Sequence, residues 1–165
     1  AAFFRLAVNL NKLQTAVLAH DAVNHGIEIL GGNGAIESFS ILPRLLRDNV
    51  VYENWEGTHN VLRAQVLRDC ARMGVHQGFF DVLADRLGET EIAQERAEMD
   101  AILKLEPALA DLRFRRLASR MAIHVMRAAL LRVETLADSA TLIHRHIQSP
   151  VVDEGYLQLL KRLQT

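Results

Sequence analysis

Trp55-Glu56-Gly57-Thr58 is the stretch whose residue types best suit proton chemistry. An indole beside a carboxylate can desolvate it, and desolvation raises its pKa toward the range a general base or acid needs near neutral pH. Gly57 removes a side chain beside Glu56, so a substrate could approach the backbone closely. Placed just before a helix, Glu56 equally suits a plainer role, that of an N-terminal acid favoured by the helix dipole. Gly31-Gly32-Asn33-Gly34 could turn backbone N–H groups toward a phosphate. It follows a helical pattern rather than a strand, so it is not a dinucleotide fingerprint, and it also reads as an ordinary helix stop. Arg44 and Arg47 are three apart and share a face, open to a phosphate or to carboxylates such as Asp48. Arg113, Arg115, Arg116 and Arg120 form a basic patch on one helix, for which a solvated, ion-paired face is the default. The histidines keep no metal-ligand spacing with Cys or Asp, so no metal is assigned. Cys70 reads as a half-buried helical thiol rather than a nucleophile.

The elements that must position these residues follow from apolar periodicity. Leu6, Leu10, Leu13, Val17, Val23, Ile27 and Leu30 recur at three- and four-residue steps, predicting one amphipathic helix of about 27 residues that ends at Gly31-Gly32. Residues 31–42 read as a loop, and Pro43 opens a short helix to Asn49. Residues 50–56 read as irregular or extended, with Val50-Val51-Tyr52 as the one, too short, strand candidate. Thr58 is a natural N-cap for a helix that Gly74 ends. Further helices are expected over 77–87, ended by Gly88; over 91–105, capped by Thr90; and from Pro107 to about Ala137. Ser139 or Thr141 opens a turn or helix to Ile147, Pro150 breaks the chain, and a last helix covers 153–163. The fold class is all-α: an antiparallel helical bundle with a helical extension. The division expected is 1–74, carrying the site motifs, and 75–165, the extension.

Bulk properties narrow the function classes. The chain has 165 residues, half of them hydrophobic, enough for a real core. With 19 basic and 20 acidic residues the net charge is −1, which supplies no general pull toward nucleic acid or an anionic membrane. No apolar run approaches the roughly 20 residues that span a bilayer. Cys70 is the only cysteine, so no internal disulfide forms, which suits a reducing, cytoplasmic setting. The sequence opens without Met, directly in helical periodicity, which predicts a piece of something longer.

In order and spacing, the motifs over roughly residues 5–72 resemble the C-terminal segment of the acyl-CoA dehydrogenases. The matching residues are Gly31, Gly32, Asn33 and Gly34, then Pro43, Arg47 and Asp48, then Trp55, Glu56, Gly57 and Thr58. The resemblance implies that Glu56 abstracts the α-proton of an acyl-CoA thioester while the β-hydrogen leaves as hydride to FAD. It implies that Thr58 and Asn60 contact the flavin dinucleotide and that Gly31 to Gly34 touch the FAD of a neighbouring subunit. A homo-oligomer, dimer or tetramer, is therefore expected, with electron-transferring flavoprotein as the electron acceptor. An isolated piece of this kind is expected to be inactive.

The sequence departs from the family pattern in several places. Glu28 stands where the family carries Gln, and a carboxylate near a pyrophosphate is repulsive unless protonated or turned away. Ala35 replaces an aromatic, and Asn60 is one methylene shorter than the usual Gln. About a hundred residues follow Glu56, which is similar to the subgroup that includes the alkylation-response flavoproteins, whose helical tail is linked to DNA. That offers an alternative: a flavoprotein with a DNA-binding tail and weak or no dehydrogenase activity. Residues 61–165 carry 15 basic and 14 acidic residues, so charge does not favour DNA as a partner.

Overall fold

The computed structural model describes residues 1–148 and 153–163, and every regular element among them is helical. Helix α1 spans Ala2–Leu30, burying Leu6, Leu10 and Leu13. It ends where Gly31 takes φ 58, a conformation open to glycine at little cost. The expected loop contains a 3-10 turn, Gly31–Ala35. Helix α2 runs Leu42–Asn54 with Pro43 in its first turn. It is therefore longer than the Pro43 to Asn49 reading, and Val50, Val51 and Tyr52 are helical rather than extended. Asn49 supplies the reason. Its amide, which often competes with helix by bonding nearby backbone, is buried and donates instead to Ala16 O at 3.2 Å and Glu53 Oε1 at 3.0 Å.

Helix α3 (His59–Met73) follows Thr58 and ends at Gly74, which has φ 61 and ψ 20. The same glycine starts α4 (Val75–Leu87), two residues earlier than expected. Gly88, at φ 94, ends α4 and starts α5 (Glu89–Ile102). Thr90 is consequently the second residue of α5 rather than its cap, because a one-residue corner leaves no place for a separate cap. Helix α6 spans Pro107–Leu130, with the Glu106 carboxylate accepting from Leu109 N at 3.0 Å and Ala108 N at 3.4 Å. It stops short of Ala137 because tight-turn bonds take over: Arg132 N to Ala129 O at 3.2 Å and Val133 N to Leu130 O at 3.0 Å. A 3-10 turn (Glu134–Leu136), α7 (Ala137–Gln148) and α8 (Glu154–Arg162) complete the chain. The break expected at Pro150 lies outside the described residues.

One core cluster joins residues from both sides of Gly74. Leu6 and Leu10 of α1 and Val66 and Cys70 of α3 meet Phe79, Phe80 and Leu83 of α4, Ile92 and Met99 of α5, and Phe114, Leu117 and Met121 of α6. Phe3 stacks on Phe79 with ring centroids 5.5 Å apart, and Phe79 meets Phe80 edge-on at 5.4 Å. Truncating a phenylalanine this buried costs about 3–5 kcal/mol, so α4 is an integral wall of the core. Beyond the cluster, α1 and α2 carry large apolar side chains in solvent. Ile29 is 84% exposed and Trp55 64%, and Val51 and Tyr52 lie open beside Trp55.

Candidate active site

The segment Trp55–Thr58 is a short link between α2 and α3. Two backbone features bend it: Glu56 has φ 54 and Gly57 has φ 119. Among the described residues Glu56 is the one non-glycine with positive φ, a conformation that costs an L-residue about 1–2 kcal/mol. Such strain persists only where its surroundings enforce it. Lys12 of α1 supplies the enforcement, donating from Nζ to Gly57 O at 2.7 Å and Glu53 O at 3.3 Å. The ammonium thus ties both the last turn of α2 and the link to α1.

Glu56 itself is exposed, as is Trp55. The indole therefore does not enclose the carboxylate as the sequence suggests, because both residues stand open to solvent. Thr58 occupies the N-cap position with extended backbone, yet its side chain makes no capping bond. Thr58, with Asn60, instead lines a polar cleft of 240 Å³ whose other walls include Glu53, His59, Arg63 and Arg115.

The glycine turn is elsewhere. Gly34 packs on Ile27, whereas Lys12 holds the link, and Lys12 and Ile27 lie fifteen steps apart on α1, about 20 Å. A Cβ on Gly34 would lie 2.6 Å from Ile27 O and 2.8 Å from Ile27 Cα. Close approach to α1 thus demands this glycine. Gly31, Gly32 and Asn33 are exposed, and nothing stands within 4 Å of a Cβ built on either glycine. Glu28 is exposed on the last turn of α1. Ser40 staples the turn, donating to Gly34 O at 3.2 Å and accepting from Leu42 N at 3.1 Å.

The remaining candidates resolve mostly into ion pairs. Arg47 pairs with Glu37, and Arg44 lies 3.7 Å from Asp48. Arg120 bonds Glu95 at 3.1 Å and also Glu98, so the basic stretch of α6 is divided between a paired Arg120 and exposed Arg113, Arg115 and Arg116. Cys70 is 1% exposed, fully buried rather than half-buried, and burial, with Asp69 adding to it, pushes its thiol up to about 12. Among the described residues no His, Cys, Asp and Glu group is placed to hold a metal ion, and no helix is long and apolar enough to cross a membrane.

Sequence reasoning missed Lys12, Arg63 and the pairing of Glu53. Glu53 Oε1 lies 2.7 Å from His20 Nδ1 and accepts from Asn49. Burial holds the His59 imidazole below its ordinary value, with Glu53 opposing and Arg63, Lys12 and Arg115 reinforcing. Burial and the facing Arg115 likewise lower Arg63. The only local signal was that Lys12 and His20 fall on one side of α1.

Comparison with known proteins bears on the same stretch. Residues 2–71 match the family model described as acyl-CoA dehydrogenase, C-terminal domain. Acyl-CoA dehydrogenase family member 11 of Caenorhabditis elegans is 46% identical over 68 residues, which are 41% of this chain and 11% of that protein. The chain thus spans a small part of the relative's length. No solved structure is a significant match.

Proposed function

We propose that this chain, which over residues 2–71 matches the acyl-CoA dehydrogenase C-terminal domain, supplies the proton-abstracting base of a flavin-dependent acyl-CoA dehydrogenase. The observation that carries this reading is the strained Glu56, held at φ 54 on a link that Lys12 fastens to α1. A base must present its carboxylate away from its own helices, and the left-handed turn does that. Glu56 takes the α-proton of the acyl-CoA thioester and holds it at its carboxylate. Gly57 leaves room for the substrate alongside.

The residues present suit a phosphate-bearing cofactor. The Thr58 hydroxyl is not engaged in capping, and Asn60 shares the polar cleft with two guanidinium groups. Thr58 and Asn60 would hold one part of FAD. Gly31, Gly32, Asn33 and Gly34, some 20 Å away along α1, would meet a second FAD in a neighbouring subunit. When bound, FAD supplies the acceptor for the β-hydride. In this chain Glu56 is open to water, so the rest of the enzyme must close over it to dry the carboxylate. The apolar faces of α1 and α2 suit that covering and a homo-oligomer. Residues 75–165 serve as a helical extension of the 1–74 segment, and electron-transferring flavoprotein takes the electrons onward.

The test uses the full-length, flavin-loaded protein, mixed anaerobically with a panel of acyl-CoA thioesters. Bleaching of the flavin by one thioester, lost in Glu56→Gln while the flavin stays bound, is the expected result. Turnover retained by Glu56→Gln removes Glu56 from the base role. A bound flavin that no thioester bleaches favours the alternative of a flavoprotein with a DNA-contacting tail.

A further inference from the structure

The cleft beside Thr58 contains an electrostatic arrangement that the proton chemistry does not require. Arg63 comes from α3 and Arg115 from α6, and both line the same 240 Å³ space. Neither forms an ion pair among the described residues, although Arg5, Arg47, Arg96, Arg120, Arg127 and Arg145 all do. The one bond that Arg63 makes is from Nη1 to Asn60 Oδ1 at 3.2 Å, and its Nε is buried without a partner. The His59 Nε2 beside it is likewise buried without a partner.

The nearby charges do not neutralise this pair. Glu53 is the acid in the cleft, and its carboxylate already faces His20 and Asn49. Lys12 is itself a cation and is committed to the carbonyls of Glu53 and Gly57. Two guanidiniums facing each other are mutually repulsive, and each lowers the proton affinity of its surroundings: Arg115 depresses both Arg63 and His59. Planar guanidiniums present several N–H donors to one tetrahedral oxyanion, which is why arginines recur where phosphate is recognised. A phosphate group would supply the missing negative charge together with acceptors for the donors left over.

We propose that His59, Arg63 and Arg115 form a binding site for a phosphate-type oxyanion, at the seam between the family-matched segment and the helices that follow. Arg115 lies outside residues 2–71, so the extension completes the site by lending it a charge. Thr58 and Asn60, the proposed flavin contacts, line the same cleft, which puts a dinucleotide phosphate within reach. A free phosphate or pyrophosphate presents the same chemistry. The flavin assignment rests on the proposed function; the oxyanion site does not.

Calorimetric titration of the full chain with inorganic pyrophosphate at low salt tests the site without any flavin or thioester. Saturable binding is expected, weakened about tenfold by Arg115→Gln, the effect of one lost charge-assisted bond. Arg113→Gln, an exposed arginine outside the cleft, should change it less than twofold. Arg115 is exposed, so its replacement leaves the fold intact even where Arg63→Gln does not. With the site established in this way, displacement of pyrophosphate by FAD assigns it to the cofactor's phosphate, and binding that FAD leaves untouched assigns it to a separate anion. Absence of saturable binding overturns the proposal, as does equal weakening by Arg115→Gln and Arg113→Gln.

Discussion

Replacing Glu56 with glycine should make the protein more stable. Glu56 sits at φ 54 and its side chain is exposed, so the substitution removes strain without removing packing. The left-handed conformation costs an L-residue about 1–2 kcal/mol, which glycine does not incur. Against this stands the greater freedom of glycine in the unfolded chain, about 0.4–1 kcal/mol. The difference is a net gain of about 0.5–1 kcal/mol, or about 1–4 °C in Tm for a chain of this size. Glu56→Gln keeps the Cβ and so the strain, and should lie within about 0.3 kcal/mol of the parent. Urea unfolding followed by helical circular dichroism on the three proteins measures both differences. If Glu56→Gly is less stable than the parent, or if Glu56→Gln gains as much as Glu56→Gly, the strain is not where the backbone places it. The argument that Glu56 is held against a conformational cost for the sake of its carboxylate then collapses.

Gly34→Ala puts a Cβ 2.6 Å from Ile27 O and should cost about 1–3 kcal/mol, whereas Gly32→Ala meets open space and should be nearly silent; thermal melts showing the reverse order would contradict the packing of the turn. Burial depresses both His59 and His144 below the ordinary 6.5, with Glu53 opposing and Arg63, Lys12 and Arg115 reinforcing at His59, and with Arg127 reinforcing against Glu91 at His144. The unfolded chain therefore binds more protons as pH drops through 6.5, so stability is full above that value and declines below it. Tm should fall between about pH 7.5 and pH 5.5, less steeply in His59→Gln; a Tm that rises on acidification rules the account out. Cys70, with its thiol pushed up to about 12, should resist thiol reagents at neutral pH until the chain unfolds, and rapid labelling of the native protein would place it outside the core.

Local signals with a single physical meaning were legible in the sequence. Gly31, Gly74 and Gly88 stop helices because they alone adopt positive φ cheaply, and each does so in the structure. Pro107 starts a helix because its missing N–H is surplus there. Signals that depend on distant partners were not legible. Asn49 looks like a helix end until α1 is seen to supply Ala16 O as its acceptor. Thr90 looks like a cap until Gly88 is seen to serve two helices at once. The link itself was legible as a chemical motif, but not its bend, because glutamate has no preference for positive φ and the cause lies in Lys12. Arg63 and Arg115 stand on different helices, and no spacing rule connects them across that interval.

Gly74 and Gly88 each join two helices through a single residue, and this has a mechanical consequence. Corners of that kind add no loop to the surface, and because α3, α4 and α5 all feed one core cluster, their mutual angles are fixed by packing rather than by the glycines. Helix α6 packs on both α1 and α3 while Arg115 reaches into the cleft, so it acts as a strut between the core and the link. Helices α4, α5 and α6, all after Gly74, therefore share one packed core with α1 and with α3, the helix that leaves the Glu56 link.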